Sequence, residues 1–164
     1  MTKVLGAGRV KVTDIEAYRE KIRSGRPGTY YYVKLLGLNT DDPLELVDRV
    51  QKGLSFGALE RFQKNTALST KDLADVVQIT LRTIIRRKEQ GRLQPEESDR
   101  LLRASRVFGK ALELFEGDAE AARRWLSTPQ RALCGSRPIA VARVDVGARE
   151  VENLIGRLEH GIPS

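Results

Sequence analysis

The chain has 164 residues, enough for one ordinary domain or two small ones, and its 40% hydrophobic share suffices for a packed core. One cysteine, Cys134, and one histidine, His160, exclude a disulfide framework, a zinc finger and a His-His metal pair. No apolar run approaches the roughly 20 residues that cross a bilayer, no secretory signal is expected, and 29 Lys and Arg against 22 Asp and Glu give +7, which points to an anionic partner, nucleic acid first.

Residues 1–41 read as a basic, partly ordered arm: residues 1–34 hold eight Lys and Arg against three acids. Gly6, Gly8, Gly25, Pro27 and Gly28 interrupt any long period, Asp14–Arg23 can form one short helix, and Tyr30–Leu36 is an apolar patch of undefined type. From Asp42 the pattern is helical. Asp42 suits an N-cap with Pro43 at the first helical position, Leu44, Val47 and Val50 recur at three-residue steps, and Gly53 suits the end. Ser55 then starts a helix with Phe56, Leu59 and Phe62 on one face.

Ser69 starts a short helix with Leu73, Ala74 and Val77 inward, Gln78-Ile79 turns the chain, and Thr80 caps a helix that Gly91 stops. Pro95-Glu96-Glu97 opens a long helix whose acids complement its dipole, with Leu101, Ser105, Phe108, Leu112 and Phe115 along one stripe. Gly117-Asp118, Thr128-Pro129 and Arg137-Pro138 each restart the chain, and the last helix, about Asp145–His160, carries Val151, Leu154, Ile155 and Leu158 at i, i+3, i+4 and i+7. No strand alternation or hairpin signal competes, so the fold class is mainly α.

Residues 70–90 read as a helix-turn-helix. Ala74 permits the close crossing of the two helices, and apolar Ile79 plugs the angle between them. At 100° per residue, Leu81, Ile84 and Ile85 define an inner face, while Thr83, Arg86 and Gln90 point outward, flanked by Arg82 and Arg87. Residues 80–92 hold five basic side chains against Glu89 alone. Such a helix fits a major groove, with Thr80 and the free N–H groups of its first turn on a phosphate. The candidate DNA contacts are Thr80, Arg82, Thr83, Arg86, Arg87, Gln90 and Arg92. The competing reading is an ordinary helical hairpin with a solvated basic face. Gln78 departs from the glycine common at this turn and costs on the order of 1 kcal/mol if its φ is positive.

Trp125–Pro138 and Val146–Gly161, above all Gly147-Ala148-Arg149-Glu150-Val151 and Arg157-Leu158-Glu159-His160-Gly161, resemble the toxin-binding domain of the MbcA/ParS/Xre antitoxins. Leu68–Phe115 resembles their Xre-type helix-turn-helix, and the likeness covers about residues 42–164. The resemblance implies a bacterial, cytoplasmic, non-catalytic protein that needs no cofactor. It implies a helix-turn-helix domain at 42–116 and a toxin-binding domain at 117–164. Its implied partner is a RES-domain toxin that degrades NAD, blocked by direct contact near its active site. Operator DNA, bound to repress the chain's own operon, is the second implied partner, and a homodimer follows from the two-fold symmetry of such operators. The far side of the last helix offers Arg149, Glu150, Asn153, Arg157 and His160 to the toxin, with Gly161 and Ile162 in a short tail that could enter a neighbour's cleft. Cys134, where the family often has glycine, is expected as a small buried residue. The alternative function is a stand-alone transcription regulator whose C-terminal domain only dimerises. Gly6-Ala7-Gly8 lacks the third glycine of a dinucleotide fingerprint, and Glu96-Glu97 and Asp41-Asp42 are better explained as helix-start acids than as catalytic carboxylates.

Overall fold

The computed structural model of the chain describes residues 13–162. The expectations on residues 1–12, Pro163 and Ser164 lie outside the described residues. Within them the chain forms nine α-helices and no strand: α1 Asp14–Ser24, α2 Pro43–Lys52, α3 Phe56–Thr66, α4 Thr70–Val77, α5 Leu81–Gln90, α6 Pro95–Leu114, α7 Ala119–Ser127, α8 Pro138–Val141 and α9 Asp145–Glu159. Two short 3-10 segments, Tyr31–Leu36 and Arg131–Leu133, interrupt the series.

The helix starts follow from capping chemistry. Asp42 accepts the N–H of Leu44 at 2.9 Å, Ser69 that of Asp72 at 3.0 Å, Thr80 that of Thr83 at 3.1 Å and Asp118 that of Ala121 at 3.0 Å. Each satisfies a donor the helix itself leaves open. The α4–α5 turn contains Gln78 at φ 57, the left-handed conformation its position demands. Its side-chain amide donates to the Arg143 carbonyl at 2.8 Å, a bond that glycine could not make.

The 20-residue α6 is the spine. It packs against α2, α3, α4, α7, α9 and the Tyr31–Leu36 segment, and one continuous core runs from Tyr18 of α1 to Ile155 of α9. Residues 14–36, read from the sequence as part of a partly ordered arm, contribute Tyr18, Val33, Leu35 and Leu36 to the buried interior. Gly109 of α6 makes room for them: a Cβ there would lie 2.7 Å from the Tyr18 hydroxyl and 2.9 Å from the Tyr32 Cβ. Asp14 then ties α1 to α3, accepting two bonds from Arg61 at 2.8 Å each and one from Asn65 at 3.1 Å.

Three expectations are corrected. On α2 the buried residue is Leu46, while Leu44 is 77% exposed, Val47 half exposed and Val50 half-buried, so the three-residue stripe does not mark the core face of this helix. Cys134 is exposed, at φ 54 just after the Arg131–Leu133 segment. The backbone at that turn is left-handed, a conformation glycine adopts without strain and a side chain does not. The third concerns α5. Its inner face is Ile84 and Arg87, not Leu81, Ile84 and Ile85; Leu81 and Ile85 are 52% and 61% exposed.

The cause is an ion pair. Arg87 donates from Nε to both carboxylate oxygens of Glu97, at 3.1 and 2.8 Å, and from Nη2 to Oε1 at 2.9 Å, and both side chains are buried. Glu97 also accepts the Gln94 N–H at 2.8 Å at the start of α6. Burial alone would raise the Glu97 carboxyl. The Arg87 bonds, the Gln94 N–H and the charges of Arg87 and Arg100 outweigh it and hold the group below its ordinary 4.5.

Arg87→Ala should destabilise the fold by about 3–5 kcal/mol, because it leaves a buried carboxylate without its counter-charge. Arg87→Met combined with Glu97→Gln should recover much of that loss in chemical denaturation. The depressed Glu97 carboxyl stabilises the fold fully above its unfolded value of 4.5 and loses that contribution as pH falls through the folded value. The stability gap between the wild type and Glu97→Gln should therefore be constant from neutral pH down to about 5 and shrink below 4.5, as read from denaturation midpoints across pH.

Candidate functional site

Two surfaces carry the candidate residues. The first is the α4–turn–α5 unit. Thr80 stands exposed at the N-cap of α5, its hydroxyl 3.0 Å from that of Thr83. Arg82 and Arg86 are exposed, one turn apart, and make no side-chain hydrogen bond or ion pair among the described residues. Thr83 is half-buried. Gln90 is exposed, but its amide oxygen accepts from Arg87 Nη1 at 3.0 Å. Arg87 faces Glu97 in the interior and is withdrawn from this surface. Arg92 donates from Nη1 to the carbonyls of Lys52 and Gly53, at 2.9 and 3.2 Å, and so closes the C-terminal end of α2.

Of the seven predicted DNA contacts, then, Arg82 and Arg86 are freely presented, and Thr80 is exposed with its hydroxyl engaged in the cap. Thr83 and Gln90 sit at the margin, Arg92 divides itself between solvent and the α2 terminus, and Arg87 is structural. Sequence periodicity missed Leu81, Ile85 and Glu89, which share the exposed side of α5 with the two arginines. The signal that could have found them is the pairing of one basic and one acidic residue ten positions apart across a helix start.

The second surface is the outer side of α9. Arg149, Glu150 and Asn153 are exposed, Arg157 is half-buried, and His160 is exposed at the helix end. At 100° per residue these five lie within about a quarter-turn, opposite the buried Val151, Leu154 and Ile155. Arg149 pairs with Asp145 at 2.9 Å, and the Asn153 amide lies 3.5 Å from Glu150. Gly161, at φ 65, turns the chain so that the Ile162 N–H reaches the Arg157 carbonyl at 2.9 Å and the Ile162 side chain stays half exposed. Val146, which the sequence reading left out, joins this stripe and is 70% exposed.

The two surfaces are joined through α6 and through the loop before α9. The Arg143 carbonyl accepts from Gln78 in the helix-turn-helix and from Arg103 of α6 at 3.2 Å. Arg106 of α6 bonds Glu152 of α9 at 2.6 Å. Gly147 lets α9 start hard against α8: a Cβ there would fall 1.8 Å from the Val141 carbonyl oxygen. Among the described residues no group of three or more His, Cys, Asp or Glu could hold a metal ion, and no helix is long and apolar enough to cross a membrane.

Comparison with known proteins covers both regions of the chain. Residues 45–106 match the antitoxin Xre-like helix-turn-helix domain, and residues 110–161 match the antitoxin Xre/MbcA/ParS C-terminal toxin-binding domain. The two matches meet inside α6. The protein named Antitoxin Xre of Yersinia enterocolitica (serotype O:8, biotype 1B) is 35% identical over 128 residues, covering 77% of this chain and 86% of that protein. Antitoxin Xre of Photorhabdus laumondii is 34% identical, covering 77% and 78%. Antitoxin Xre of Pseudomonas putida is 29% identical over 118 residues, covering 71% and 72%. With an exposed, basic helix-turn-helix at one end of α6 and a polar helix face in the toxin-binding region at the other, the chain belongs to the Xre/MbcA/ParS antitoxins, non-catalytic members of toxin–antitoxin pairs.

Proposed function

We propose that the chain neutralises a RES-domain, NAD-degrading toxin through the outer face of α9 and represses its own operon through α4–α5. The observation that carries the first half is the α9 stripe. Arg149, Glu150, Asn153, Arg157 and His160 project from one side of a helix whose other side is spent on the core, and they fall within the matched toxin-binding region. Val146 and Ile162 add apolar contact at its two ends. A stripe of this kind, apolar at the ends and charged between, suits a protein partner with an anion-binding cleft. Its arginines are positioned to occupy the subsites of a phosphate-bearing cofactor.

The second half rests on Arg82 and Arg86, two exposed guanidinium groups one turn apart on a capped helix. Guanidinium forks pair with phosphate oxygens or with the N7 and O6 edge of guanine. The division of labour is residues 42–116 for DNA and 117–164 for toxin, although both share one core. A homodimer presents two copies of α5 to an operator of matching two-fold symmetry.

Arg82→Ala with Arg86→Ala should flatten the dependence of operator affinity on salt, lowering the log–log slope by about 2 when both contacts are to phosphate. Toxin neutralisation should be unaffected. Operator affinity and salt slope both equal to those of the wild type sink the DNA assignment of these two residues. Arg149→Glu with Arg157→Glu, co-expressed with the toxin, should leave cells depleted of NAD while operator binding persists. Full protection by that variant would remove the α9 face from the interface.

A further inference from the structure

The exposed side of α5 carries more than arginines. Leu81 and Ile85, 52% and 61% exposed, lie one turn apart and form an apolar ridge. Beside it runs the parallel ridge of Arg82 and Arg86. The same helix turns an arginine inward and two large aliphatic side chains outward. For solubility alone the reverse placement is the ordinary one.

Base edges in the major groove present hydrogen-bonding atoms and a single apolar group, the C5-methyl of thymine. Hydrogen-bonding side chains read the former, and an aliphatic side chain matches the latter. Both ridges lie on the exposed side of a helix whose N-terminal turn is capped by Thr80 and stands clear of the core. With Arg82 and Arg86 held by phosphate or guanine, Leu81 and Ile85 come to the base edges on the same side. Self-association through this face is disfavoured by charge, since two copies meeting on Leu81 and Ile85 would bring four arginines together, with Glu89 of each copy the sole acid on that side of α5.

We propose that Ile85, supported by Leu81, is a specificity-determining residue that reads thymine in the operator through its C5-methyl group. The proposal rests on the DNA-binding role of α5 given above and names what that helix recognises.

The test selects bound sequences from a random duplex pool with the full chain. Each enriched thymine is then replaced singly by deoxyuridine, which removes the methyl and keeps the O4 acceptor. At one or two positions per half-site the wild type should lose about fourfold in affinity, the value of one buried methyl-sized group. Ile85→Ala should bind thymine and deoxyuridine duplexes equally there and retain the wild-type salt slope, and Ile85→Val should restore much of the discrimination. Because the side chain is exposed, a thermal melt equal to that of the wild type confirms that these variants fold. Equal affinity of the wild type for thymine and deoxyuridine duplexes overturns the proposal while leaving DNA binding intact. So does an Ile85→Ala protein that keeps the discrimination but changes its mass by light scattering, which would make the ridge a contact between copies. Failure to enrich any sequence overturns the DNA-binding reading itself and the proposal with it.

Discussion

The buried Arg87–Glu97 pair decides what the helix-turn-helix shows to its surroundings. A guanidinium fork reaches a carboxylate squarely only over a narrow range of approach. Three bonds between these two side chains therefore set the rotation of α5 about its own axis, not only its distance from α6. An apolar residue at position 87 would accept many rotations, including one that buries Ile85. With the ion pair in place Ile84 goes inward, Leu81 and Ile85 go outward, and Arg82 and Arg86 stand beside them. The exposed face of α5 thus follows from an electrostatic constraint that lies out of sight behind it.

Glu97 gains its leverage by serving two helices. It closes the N-terminal turn of α6 by accepting the Gln94 N–H, in the position where the helix dipole favours a negative charge. The same carboxylate orients Arg87. The start of the spine and the azimuth of α5 are consequently one feature. Midway along its length α6 holds α9 through Arg106 and Glu152, and the Gln78–Arg143 bond links the α4–α5 turn directly to the loop that launches α9. A partner seated on α9 and a duplex seated on α5 would therefore press on parts of one continuous core, with α6 common to both.

Sequence pattern located the helices well because their ends are local chemistry. Asp42, Ser69, Thr80 and Asp118 each bond a backbone N–H two or three residues on, and a reader of the sequence needs nothing from elsewhere in the chain to expect that. Gln78 left the turn open in the sequence, since glycine is the usual residue there, and its φ of 57 shows that the turn is left-handed all the same. What escaped was orientation. Apolar counting assigned Leu81 and Ile85 to the core because it weighs aliphatic carbon and cannot see that Arg87 meets Glu97 in the next helix. It grouped Leu44, Val47 and Val50 at three-residue steps and could not show that α2 lies at an edge and fully buries Leu46 instead. The burial of Tyr18 and Leu36 was hidden because the groove that accepts Tyr18 exists only where Gly109 of α6 leaves it, far along the chain.

The C-terminal motif shows the same separation in compressed form. In Gly147-Ala148-Arg149-Glu150-Val151 three residues are structural: Gly147 admits the Val141 carbonyl, and Ala148 and Val151 are buried. Only Arg149 and Glu150 reach solvent. A string of five residues that identifies the family thus contains two that can touch a partner, and Val146, just outside the string, is more exposed than any aliphatic within it. Recognising the motif establishes which helix is built here. Which side chains that helix offers follows from the contacts beneath it, and those leave an outer stripe across Val146, Arg149, Glu150, Asn153, Arg157 and His160 rather than along the motif itself.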